Sequence, residues 1–174
     1  MRKKMNAKAT SFAPIIDDSA RTLILGSMPG AESLRVHEYY ANPRNTFWRI
    51  MGCLFGFSAN ATYIEKVAAL KVNKVALWDV MHSCERSGSL DANIKHGTIE
   101  PNDFVSLFHD YTNIAMILFN GVKAETEYKK QVLPKLSVEA QEIKLLRLPS
   151  TSPALAGIPF DEKLGLWAKA MYDA

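Results

Sequence analysis

The stretch RTLILGSMPGAESLRVHEYYANPRNTFW, residues 21–48, begins as an apolar run, Leu23-Ile24-Leu25, and halts at Gly26-Ser27-Met28-Pro29-Gly30. A short apolar run stopped by glycine predicts a buried strand over residues 23–26. Loop-like sequence follows, up to Asn42-Pro43-Arg44-Asn45. There the pattern changes. Phe47, Ile50, Met51, Leu54 and Phe55 recur at helical spacing and predict a helix that starts at or near Asn45 and is ended by Gly56. A buried strand feeding a long polar and aromatic loop is a common way to build a site.

Three further apolar runs lie outside this stretch: KVALWDV at 74–80, NIAMILF at 113–119 and IKLLRL at 143–148. Each predicts a buried strand. Helical patterns fall between them. Tyr63, Val67 and Leu70 mark one, and Phe104, Leu107 and Phe108 a second with Pro101 in its first turn. A third spans residues 122–132 and is cut by Pro134, and a last helix puts Phe160, Leu164, Trp167 and Met171 on one face. Residues 81–100 carry no periodicity and predict a long polar connection, a kind of segment that is often functional. Strands alternating with helices predict an α/β fold, a three-layer α/β/α arrangement around a four-stranded parallel sheet in one domain over 1–174. Ligands bind such sheets beyond the carboxyl ends of the strands. All four predicted strands end in polar, turn-rich sequence there: Gly26-Ser27-Met28-Pro29, Asp79 and the residues after it, Asn120-Gly121, and Pro149-Ser150-Thr151-Ser152-Pro153.

The totals exclude several classes. A chain of 174 residues, 48% apolar and 22% charged, is an ordinary globular domain. No apolar run nears the roughly 20 residues of a membrane span. The basic start, residues 1–12, lacks a secretory signal's apolar centre and predicts a flexible tail on a cytoplasmic protein. Cys53 and Cys84 have no metal spacing and read as reduced thiols. The net charge of +3 permits a polyanion partner without demanding one. The first loop spells neither GxGxxG nor a phosphate-loop lysine pattern. No His/Cys/Asp/Glu set has the spacing of a zinc site. Ser27 lacks the GxSxG context and the His–Asp partners of a hydrolase. What remains is a rim of amides, hydroxyls and aromatics (Asn42, Asn45, Asn120, Ser150, Thr151, Ser152, Tyr39, Tyr40, Phe47) with Arg44 beside them. Aromatics stack on a flat heterocycle, amides read its edge, and hydroxyls and backbone N–H groups in a turn suit phosphate.

Five segments carry a resemblance: GSMPG at 26–30, YYANPRNTFW at 39–48, WDVMHSC with ERSGSLD at 78–91, FNG at 119–121 and LPSTSPA at 148–154. In order and at the predicted strand ends, they make the chain resemble the uracil-DNA glycosylase superfamily, and within it the hypoxanthine-DNA (deoxyinosine) glycosylase branch. The resemblance implies a monofunctional DNA repair enzyme. It would flip a deaminated base, preferably hypoxanthine, out of DNA and hydrolyse its N-glycosidic bond to leave an abasic site. It implies no cofactor, no metal and no membrane, and a monomer acting on nucleoid DNA. Many superfamily members place Asp or Asn where Met28 stands and histidine where Leu148 stands. The hypoxanthine branch resembles this chain at both positions and relies on an asparagine in the first loop. That points to Asn45 as catalytic, with Asn42 the second candidate.

By the same resemblance Ser27, Met28, Phe47, Asp79 and Asn120 would bind the base, with Phe47 stacking on it. Arg44, Ser150, Thr151, Ser152 and Leu155 would bind DNA, Leu155 as a wedge. Each residue also has a plainer reading. Asn45 fits a helix N-cap, Phe47 the core, Asp79 a loop cap or a partner of Arg86, Asn120 a turn, Leu155 a packed loop, and Arg44 a solvated charge. Two alternatives stand beside the leading function: a mismatch-specific uracil or thymine glycosylase, and a non-catalytic nucleic-acid-binding domain of the same fold.

Overall fold

The computed structural model describes residues 7–173. Its strands are β1 (Ala7–Thr10), β2 (Thr22–Gly26), β3 (Val75–Asp79), β4 (Met81–Arg86), β5 (Glu100–Pro101), β6 (Met116–Asn120) and β7 (Lys144–Leu148). Its α-helices are α1 (Ala31–Val36), α2 (Phe47–Phe55), α3 (Tyr63–Val72), α4 (Phe104–Asp110), α5 (Val122–Glu127), α6 (Val138–Gln141) and α7 (Phe160–Tyr172). The four apolar runs form one parallel sheet in the order β3-β2-β6-β7. From β2 the chain goes outward to β3 on one side, and from β6 to β7 on the other. The connections diverge between β2 and β6, so a crevice opens above the carboxyl ends of those two strands.

β2 and β3 are buried at every position, as strands covered on both faces must be. Phe47 of α2 meets Trp167 of α7 edge to face at 6.2 Å, and α2 also packs on α3. A second aromatic group joins Trp78 to Phe104 at 5.0 Å and Phe104 to Tyr128 at 5.5 Å. Local chemistry sets the helix ends. Gly56 takes the left-handed conformation that closes α2, and Thr62 and Glu65 form a reciprocal capping box on α3.

The structure departs from the sequence expectations in several places. Residues 1–12 are not a tail throughout. β1 pairs antiparallel with β4 from Ala7↔Arg86 to Thr10↔Ser83, and residues 1–6 lie outside the described residues. Residues 81–100 begin with β4 and end at β5, so the supposed connection starts and finishes in a second sheet, β1-β4-β5. Pro101 sits in β5, and α4 starts later, where the Asp103 side chain accepts from Ser106 N. The loop after Gly30 contains α1. The helix expected over 122–132 is α5 followed by a π-helical turn, Tyr128–Val132, and Pro134 lies in a 3₁₀ turn.

Candidate functional site

A cavity of about 1040 Å³ opens where the topology places the crevice. Residues 26–30 after β2, Asp79, Asn120 and residues 148–155 after β7 line it, facing Tyr40, Asn42 and Asn45.

Tyr40 holds the unusual position. Its φ is 55°, and its ring stacks on Phe47 with centroids 4.1 Å apart. Asn120 Nδ2 donates to Tyr40 Oη at 3.0 Å and to Thr151 Oγ1 at 2.9 Å, while Asn120 Oδ1 accepts from Thr151 N at 2.9 Å. The Thr151 carbonyl in turn accepts from Thr46 N at 3.0 Å, one residue before α2. One hydrogen-bonded chain therefore runs from the end of β6 through the turn after β7 to the start of α2. Burial and neighbouring carboxylates push the Tyr40 phenol upward, so it stays protonated.

Asn42 and Asn45 frame a tight turn. Asn45 N donates to Asn42 O at 2.8 Å, and Asn42 Oδ1 accepts from Arg44 N at 3.0 Å. Asn45 Oδ1 accepts from Phe47 N at 3.0 Å. These bonds fix both amides with oxygen toward the backbone. Each Nδ2 is left without a partner among the described residues.

Below the turn lies a buried acidic group. Asp79, 3% exposed, accepts from Ser11 Oγ at 2.8 Å. Its register partner is Gly26, and a Cβ on Gly26 would lie 2.6 Å from Asp79 Oδ1 and 2.9 Å from Tyr40 Oη. Loss of hydration raises the Asp79 carboxyl from 3.8 to about 7, and the Asp91 charge adds to the rise against the Ser11 bond and Arg86. Asp91 also lines the cavity. Its Oδ1 accepts from Ser27 Oγ at 2.7 Å, and burial raises it too. Arg86, 4% exposed, donates Nε to Gly88 O at 2.9 Å and Nη2 to Pro29 O, tying the first loop to the turn before Asp91.

The rim is turn-rich and carries three cations, two of them paired with glutamates. Arg44 is exposed, Lys123 pairs with Glu127 at 2.7 Å, and Arg147 pairs with Glu125 at 3.2 Å. Ser150 Oγ accepts from Ser152 N, and Ser152 Oγ from Ala154 N, both at 3.2 Å. Leu155 is 37% exposed on the rim, and its carbonyl accepts from buried Lys163 Nζ at 3.2 Å.

The cavity thus gathers Asn45, Asn42, Ser27, Met28, Asp79, Asn120, Arg44, Ser150, Thr151, Ser152 and Leu155. Phe47 is the exception. It is fully buried and outside the lining, because Tyr40 covers it, so Tyr40 supplies the aromatic ring that faces the cavity. Thr151 is 0% exposed, with its polar groups turned inward rather than toward the rim. Met28 is 6% exposed and packs with Met81, Cys84 and Ile94, which accounts for an apolar side chain there. Asp79 makes its hydrogen bond to Ser11, and Arg86 acts on it only through its charge. Sequence reasoning missed two participants, Asp91 and Ser11, and named Tyr40 among the rim aromatics without a role of its own. Asp91 sat within the ERSGSLD segment, and Tyr40 beside an indistinguishable Tyr39. Nothing in the sequence marks Ser11. Among the described residues no three His, Cys, Asp or Glu side chains converge as a metal site, and no helix is long and apolar enough to cross a membrane.

Comparison with known proteins gives the same outline. The family model described as the uracil DNA glycosylase superfamily matches residues 13–169. A Methanosarcina barkeri protein named hypoxanthine DNA glycosylase is 40% identical over 140 residues, covering 80% of this chain and 84% of its own length. A Methanosarcina acetivorans protein of the same name is 40% identical over 144 residues, covering 82% and 85%. A solution NMR structure from Methanosarcina acetivorans, described as a candidate uracil DNA glycosylase, superposes with a TM-score of 0.78 at 32% identity over 96% of this chain and 98% of that one.

Proposed function

The chain belongs to the uracil DNA glycosylase superfamily, and on that premise we propose that it excises hypoxanthine from DNA, acting as a cytoplasmic monomer without a cofactor. The observation that carries the proposal is the pairing of an aromatic platform, Tyr40 on Phe47, with an Asn45 amide whose Oδ1 is fixed by Phe47 N and whose Nδ2 has no partner among the described residues, lining the same cavity. Two archaeal relatives at 40% identity, both named for hypoxanthine excision, support the choice of base.

A flipped base stacks on the Tyr40 ring, and Leu155 on the rim fills the gap left in the duplex. Arg44 and the serine turn at 150–152 hold phosphates. Water oxygen bonds C1′ as the C1′–N9 bond breaks, with its electron pair leaving on the base. The water proton passes to solvent, solvent returns a proton to the departed base, and the products are free hypoxanthine and an abasic sugar. The transition state carries positive charge on the sugar and negative charge on the base. Asn45 Nδ2 is a donor placed to bind the base or the attacking water, and its fixed amide needs little reorganisation to do so. A carboxamide is too weak a base to deprotonate water. Most of the rate therefore comes from orientation and from binding the leaving group.

A second reading, excision of uracil or thymine from mismatches, draws support from the solved structure described as a candidate uracil DNA glycosylase. Met28 weighs against it. An apolar side chain packed on Met81 and Cys84 cannot serve water where other members carry an acid or amide. A panel of duplex and single-stranded oligonucleotides carrying hypoxanthine, uracil, xanthine or mispaired thymine tests the proposal. Alkali-labile cleavage at hypoxanthine first is expected. Cleavage at uracil with hypoxanthine intact would overturn the choice of base, and binding without any cleavage would leave only a DNA-binding domain.

A further inference from the structure

Hydrogen-bond accounting in the cavity leaves a specific gap. Hypoxanthine presents an acceptor at O6 and a donor at N1–H; adenine presents the reverse. Free side-chain donors are present in Asn42 Nδ2 and Asn45 Nδ2. Side-chain acceptors are scarce. Asn42 Oδ1 holds Arg44 N, Asn45 Oδ1 holds Phe47 N, and Asn120 Oδ1 holds Thr151 N. Tyr40 Oη accepts from Asn120; Asp79 Oδ2 holds Ser11 Oγ, and its Oδ1, which has no described donor, lies almost wholly buried under Gly26. Asp91 is the more open of the two carboxylates. It lines the cavity, its Oδ1 is pinned by Ser27 Oγ at 2.7 Å, and its Oδ2 accepts from no described residue.

We infer that Asp91 determines base specificity by accepting the ring N1–H of the flipped base at Oδ2. The inference rests on the hypoxanthine reading. An ionised carboxylate is purely an acceptor. It pairs with the N1–H of hypoxanthine and faces the lone pair of adenine N1, from which deamination makes hypoxanthine. The wrong base then leaves two buried acceptors opposed, and a site built to receive a hydrogen bond rejects a base that lacks the donor. Burial raises the Asp91 carboxyl, and the Ser27 bond that holds it in register, with the Arg86 and Lys123 charges, works against that rise in favour of the ionised form. The assignment explains why an enzyme for a polyanion keeps a half-buried carboxylate in its cleft: the group meets only the neutral base. It sets discrimination against adenine, not against guanine, which carries the same N–H.

The test compares single-turnover excision of hypoxanthine and 1-methylhypoxanthine, which lacks the N1 hydrogen, by the full chain and by Asp91→Ala and Asp91→Asn. Binding of an abasic-site duplex reports the integrity of the fold. The wild type favours hypoxanthine by about 10- to 100-fold, the worth of one buried hydrogen bond to a charged group. In Asp91→Ala the ratio falls toward one because hypoxanthine slows. Asp91→Asn keeps the shape, can turn its amide oxygen to the base, and stays closer to the wild type. An unchanged ratio in Asp91→Ala overturns the inference. Equal loss in both variants, with abasic-site binding lost, marks Asp91 as structural and also overturns it. A wild type that excises uracil but not hypoxanthine defeats the functional proposal itself, a result distinct from either.

Discussion

Asn120 commits its entire carboxamide to the fold, with Nδ2 to Tyr40 and Thr151 and Oδ1 to the Thr151 N–H. Its role toward a base therefore runs chiefly through Tyr40 and the turn after β7. Asn120→Ala leaves the buried Thr151 N–H without its acceptor, and denaturant unfolding is expected to show a loss of about 1–3 kcal/mol. At this scale the sequence was only partly legible. Asn42, Asn45 and Ser27 stand at strand and helix ends, where motifs locate them. Tyr40 is marked as the cavity's ring by a φ of 55°, and φ is not written in residue type. Phe47 has the helical spacing of a core residue and is one, so the ring expected at the cavity lies beneath the one that lines it, Tyr40.

Gly26 closes β2 where two strands and a loop converge. Its register partner is Asp79, and a side chain there would press within 2.6 Å of Asp79 Oδ1 and 2.9 Å of Tyr40 Oη. Gly26→Ala is expected to cost about 1–3 kcal/mol through overpacking, and to impair excision by displacing Tyr40; thermal unfolding and excision rate together check it. β2, β3 and β6 were legible as buried strands because each is an apolar run between turn signals; β7, read from the same kind of run, is an edge strand carrying Lys144 and Arg147 and is exposed at three of its five positions rather than buried. The second sheet was not legible. β4 buries Met81, Ser83, Cys84 and Arg86, a mixture of apolar and polar residues that does not alternate along the strand. β1 reads Ala-Lys-Ala-Thr, and β5 is two residues long. A sheet whose small apolar cluster, Met81 and Cys84 with Met28 and Ile94, is interleaved with buried polar residues leaves no periodic trace.

Across the whole molecule, the buried acids give stability a definite pH dependence. Above about pH 4 the unfolded chain has released the Asp79 proton, while the folded chain keeps it up to about pH 7. The folded state binds more protons in that window, so stability falls as pH rises through it, by up to about 1.4 kcal/mol per unit. Asp91 has the same sign. Lowered acids such as Asp17 and Asp103 have the opposite sign and act only in more acidic solution. Asp79→Asn should flatten the decline between pH 5 and 8 in urea unfolding, and an unchanged slope would contradict the burial argument. Exposed Arg44 on the rim makes a second prediction. Arg44→Ala should weaken DNA binding similarly across sequences and reduce the slope of log affinity against log salt by about one. The central claim is that the Asn45 amide beside the Tyr40 platform removes hypoxanthine. Single-turnover excision from an inosine-containing duplex by wild type and Asn45→Ala tests it most directly, with duplex affinity measured in parallel. The expected result is robust wild-type excision that falls by about 100-fold or more in the variant, as for removal of a donor that stabilises a transition state, at nearly unchanged affinity. Equal excision by both proteins would contradict it.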